Sequence, residues 1–114
     1  MAAKKDNTQF FRTDFTGEEL TDIAKKGGYD SYSEMVRHIQ KVISKKGVPI
    51  SFHLSGKTCK NVKSFRSSKA LGKAMTKACK ASFASKACVF EQSLKWIAAG
   101  RDMEDLDFPK QMLR

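Results

Sequence analysis

Between Ser55 and Gly100 the chain carries one carboxylate, Glu91, against ten lysines and arginines. Residues 1–54 hold nine basic and seven acidic side chains, so they are nearly balanced. Residues 101–114 hold three and four. The net charge of +10 and pI near 9.7 therefore reside in the second half. Such an excess favours a polyanionic partner, nucleic acid ahead of an acidic membrane surface. Long apolar runs are also lacking, so no membrane span is expected. The lysines of Met1-Ala2-Ala3-Lys4-Lys5-Asp6 precede no apolar stretch, so no secretion signal is expected and the cytoplasm is the expected compartment. Cysteine is scarce and odd in number: Cys59, Cys79 and Cys88, with no Cys-x-x-Cys pair. A disulfide framework is not expected, and each thiol reads as a small buried hydrophobe. With only His38 and His53 beside them, no zinc spacing arises, and neither metal nor cofactor is expected. His53, between apolar neighbours, reads as a half-buried or surface histidine. No nucleophile–base pair and no phosphate-cradling glycine loop is present, so an enzyme is not expected and no catalytic residue is assigned.

What is present is concentrated between Gln9 and Lys46. Gln9-Phe10-Phe11-Arg12-Thr13-Asp14-Phe15 carries three phenylalanines in seven residues, which suits a strand. Alternation puts Phe11, Thr13 and Phe15 on one face and Phe10, Arg12 and Asp14 on the other. Phe15 directly precedes a helix cap, so its face is expected to be the inner one, although a one-residue shift would exchange the sets. Thr16 with Glu19 spells a capping box, and Leu20, Ile23 and Ala24 follow at helical spacing until Gly27-Gly28. Ser31 with Glu34 spells a second box. Met35, Val36, Ile39, Val42 and Ile43 then form a wide apolar stripe, closed by Gly47 and Pro49. One strand with both edges open needs a partner, and this stripe needs a lid. A two-fold dimer would supply both.

Residues 9–46 resemble the ribbon-helix-helix DNA-binding proteins of the Arc and MetJ type. The most specific part is Ser31-Tyr32-Ser33-Glu34-Met35-Val36-Arg37, joined by the spacing of Phe15, Thr16, Leu20 and Ile23. The resemblance implies a mostly α-helical fold, with the module forming an intertwined homodimer through a two-stranded antiparallel ribbon that enters the major groove of double-stranded DNA. It implies that Phe10, Arg12 and Asp14 face the bases. Arg12 could donate two bonds to guanine, Asp14 could accept from cytosine, and Phe10 could touch a thymine methyl. Ser31, Tyr32 and Ser33, opening the second helix, would meet phosphate. It also implies that two dimers can sit side by side on repeated half-sites.

The remaining chain divides more loosely. Residues 1–8 read as a flexible basic arm, 9–47 as the dimerising DNA-binding module, 48–66 as a basic connector with a short strand near Pro49–Leu54, 67–100 as a basic helical extension and 101–114 as an acidic tail. Within the extension, Ser82–Ser85 suggests a break between two helices, with Trp96 and Ile97 as anchors. Lys69, Lys73, Lys77 and Lys80 share one helical face and are candidate phosphate contacts. The tail could dock on that basic helix or on another protein. The expected function is a sequence-specific DNA-binding dimer regulating transcription on nucleoid or plasmid DNA. Two alternatives stand beside it: an accessory DNA-binding protein of plasmid conjugation or partition, and an RNA-binding or protein-interaction module led by the C-terminal helices.

Overall fold

The computed structural model describes residues 6–52 and 59–108. Lys4, Lys5, His53, Leu54, the Ser55-Gly56 pair, Lys57 and residues 109–114 lie outside them. The order of elements is β1 (Asp6–Thr13), α1 (Gly17–Lys26), α2 (Tyr32–Lys46), β2 (Asn61–Ser68), α3 (Lys69–Ala81), α4 (Lys86–Ala98) and a short 3₁₀ turn at Met103–Asp105. Strand, helix, helix therefore occurs twice.

Local chemistry accounts for most boundaries. Thr16 and Glu19 form the complete capping box at α1. At α2 the box is only half made: Ser31 accepts from the Glu34 N–H, while the Glu34 carboxylate reaches back to the Asp30 N–H. Ser68 and Ser85 cap α3 and α4 in the same way, each accepting from the N–H three residues on. The serine-bearing break thus separates two helices of 13 residues each. Its turn contains Phe83 at φ 56°, a left-handed conformation that a β-carbon disfavours.

The strand's missing partner comes from the same chain. β1 pairs antiparallel with β2 from Asp6↔Ser68 to Thr13↔Asn61. One of the two open edges inferred for residues 9–15 is therefore paired within the chain, by residues 61–66, expected to be connector, and 67–68, expected to open the helical extension. Two segments expected to be otherwise thus form the ribbon's far portions: residues 6–8 extend β1, and 61–66 begin β2. The short strand expected near Pro49 is instead a turn at Ile50–Ser51 within the described residues.

The inner face of the ribbon alternates as the pleat requires. Phe11, Thr13, Phe65 and Ser67 are buried, while Phe10, Arg12, Val62, Ser64 and Arg66 are exposed. Phe15 is half-buried against the core. Under the ribbon, Phe11, Phe65 and Phe90 meet with ring centroids 5.2–6.2 Å apart. Burying each ring stabilises the fold by roughly 1.5–3 kcal/mol. Leu20, Met35, Ile39, Ile43, Met75, Leu94 and Ile97 complete one core shared by all four helices. The two halves interlock: α2 packs most closely on α3, and α1 on α4 more than on α2.

The described part of the acidic tail, residues 101–108, docks, but not on the lysine face of α3. Met103 and Leu106 are buried, Asp107 accepts from the Ile50 N–H and the Ser51 hydroxyl, and Glu104 pairs with Lys46 at the end of α2. Trp96 Nε1 donates to the Asp102 carbonyl at 2.6 Å.

Candidate nucleic-acid interface

The exposed face of the ribbon consists of Thr8, Phe10 and Arg12 on β1 and Val62, Ser64 and Arg66 on β2. These six side chains follow from alternation alone once the inner phenylalanines are placed. Phe10 remains 63% exposed. Its ring stands on the same face as Arg12 and Arg66. Arg12 lies along the ribbon with Nη1 donating to the Cys59 carbonyl at 3.2 Å. Asp14 sits one residue beyond β1, and its carboxylate accepts from the Lys60 N–H at 2.9 Å, so it ties the ribbon's end to the segment entering β2.

Each strand is held from beneath by the other half of the chain. Glu91 of α4, itself buried, accepts from the Thr13 hydroxyl at 2.6 Å and the Asp14 N–H at 3.2 Å. Gln40 of α2 accepts from the Ser67 hydroxyl at 2.6 Å and donates to Gln9. Gln9 in turn donates to the Ser68 carbonyl. α3 passes close above this network because residue 72 is glycine: a β-carbon there would lie 2.7 Å from Gln9 Oε1. Asp14, Cys59 and Glu91 bring potential ligand atoms within 4.8 Å of one another. The hydrogen bonds made by both carboxylates identify this cluster as the anchor of the ribbon's end.

Helix N-termini flank both edges of the ribbon. On the β2 side, the Tyr32 hydroxyl donates to the Ser64 carbonyl at 3.0 Å, and Arg37 Nη1 to the Arg66 carbonyl at 2.7 Å. These bonds cover the outer edge of β2. On the β1 side, Lys86 and Ala87 of α4 line a shallow cavity with Phe10, Arg12 and Val62. Neither α3 nor α4 has an acid in its first turn, so their positive ends are uncompensated. Lys86 also lines a second cavity, of about 280 Å³, with Lys69, Lys73 and Asn7. Lys77 and Lys80 are exposed farther along α3 and do not line it. Thus Lys69 and Lys73 of the four aligned lysines come to the ribbon's edge. Ser31 is committed to capping, Ser33 is half-buried, and Tyr32 clamps β2.

The chain matches no protein-family model, no curated protein and no solved structure.

Local sequence patterning assigns no role to Val62, Ser64, Arg66 or Lys86, yet a signal for them exists. Phe11-Arg12-Thr13 corresponds to Phe65-Arg66-Ser67, 54 positions later. The helix caps Ser31 and Ser85 are also 54 apart, as are the buried pairs Met35 and Val89, Val36 and Phe90, and Ile43 and Ile97. The repeat is faint because most of the matching positions preserve only burial or capping.

Proposed function

We propose that this protein binds double-stranded DNA sequence-specifically as a ribbon-helix-helix protein and acts as a transcriptional regulator. The observation that carries the reading is the solvent face of the ribbon, with two arginines and an unburied phenylalanine between two helix N-termini. A two-stranded ribbon fits the roughly 12 Å width of the major groove. Arginine there donates bidentately to guanine O6 and N7, a contact worth about 1–3 kcal/mol of discrimination. The first turns of α2 and α4 would meet the phosphates on either side, with Lys69, Lys73 and Lys86 adding charge.

The test compares specific with random duplex at matched salt. Arg12→Ala and Arg66→Ala should each lose roughly 5- to 150-fold of that preference while leaving the circular dichroism spectrum unchanged. Preference that survives both changes would rule the ribbon out as the reader. Lys69→Glu with Lys73→Glu should instead weaken binding to every duplex alike and flatten the salt dependence.

A further inference from the structure

We infer that one chain is a complete reading unit for an asymmetric DNA site, with matched ends and an unmatched centre. The inference rests on the ribbon being the reading surface. Both strands come from one chain, and the correspondence over 54 positions relates them by an approximate two-fold axis. Phe10 faces Ser64 in the ladder and is also its counterpart in the repeat, so the axis passes through that pair. Arg12, opposite Val62, and Arg66, opposite Thr8, lie two ladder steps away on either side. The arginines are therefore four residues apart along the ribbon, about 14 Å at the rise of a strand. That distance is about four base-pair steps of duplex.

The same arginine at both ends and different chemistry between them have a direct consequence. Each arginine selects a G·C pair, and the approximate axis places the two guanines on opposite strands. At the centre, Phe10 favours a thymine methyl on one side, while the Ser64 hydroxyl accepts several base edges. Val62 beside Arg12 and Thr8 beside Arg66, counterparts in the repeat, differ at the two ends as well. The preferred centre is therefore not self-complementary. A homodimer could not achieve this, because its two strands would be identical.

The experiment is selection of bound duplexes from a randomised pool by the full chain, with the number of chains per duplex counted by native mass spectrometry. One chain per site, with two G·C positions about four steps apart around a non-palindromic centre, is the expected result. Arg12→Ala should relax one end and Arg66→Ala the other. Ser64→Phe, on an exposed position, should extend the thymine preference to both strands of the centre. Selection of a palindrome bound by two chains would overturn the inference while leaving DNA reading intact. So would relaxation of the same base pair by both arginine changes. Failure to enrich any sequence would instead sink the DNA-reading proposal itself.

Discussion

Glu104 shows how one side chain ties the tail to the fold. Its hydrogen bond to Lys46 holds its carboxyl below the usual range, with the charges of Lys46 and His38 acting the same way and partial burial opposing them. A depressed carboxyl contributes stability that is present above the unfolded value, near 4.3, and is lost as pH falls through the lower folded value. Tail docking should therefore loosen in acid, below the normal glutamate range. A titration of Trp96 fluorescence would register this through its bond to Asp102, and Glu104→Gln should abolish the transition. Glu91 is a more buried case. Glu91→Ala would leave the Thr13 hydroxyl and the Asp14 N–H without their acceptor, at a cost of about 1–3 kcal/mol in urea unfolding. Burial pushes the Cys79 thiol up, with Lys86 opposing it, so Cys79 should alkylate more slowly at neutral pH than in the urea-unfolded chain.

Among the elements, the α3–α4 turn carries visible strain. Phe83 is 93% exposed and holds φ at 56° without a packing contact to repay it. Phe83→Gly should raise stability by roughly 1 kcal/mol, measured as a higher urea midpoint, because glycine adopts this conformation without steric cost. A lower midpoint would show that the ring has a structural partner. The ribbon behaves oppositely. Phe65 packs edge-on against Phe11 and Phe90, so Phe65→Ala should cost about 3–5 kcal/mol. Most of the residues of β2 carry little strand signal: Val62 and Phe65 are its only strong strand formers among three serines, an asparagine, a lysine and an arginine. Pairing with β1 and burial of Phe65 override that weak preference.

At the scale of the molecule, the repeated halves cannot be separated without opening the core. α2 covers α3, and α1 covers α4, across the repeat. The described domain should therefore unfold in one transition, with near- and far-ultraviolet circular dichroism and Trp96 fluorescence coinciding. Two resolved transitions would show that each half holds its own core. Among the described residues no helix is long and apolar enough to cross a membrane. The excess charge of the second half, which surrounds α3 and the start of α4, is brought to the edge of a ribbon whose first strand comes from the nearly neutral half.

The local steps were legible in the residues because short-range chemistry decides them. Thr16 with Glu19, the stripe from Met35 to Ile43, the serine break and the outward Phe10 and Arg12 all rest on spacing of a few residues. The partner of β1 was not legible. A strand states that it needs a neighbour but not which one, since backbone hydrogen bonds carry no sequence. Only tertiary packing decided that Phe65 lies beside Phe11 and that Gln40 and Glu91 anchor opposite strands. That packing pairs β1 with residues 61–68 of the same chain, and with it gives the outer face of the ribbon a second, chemically different half.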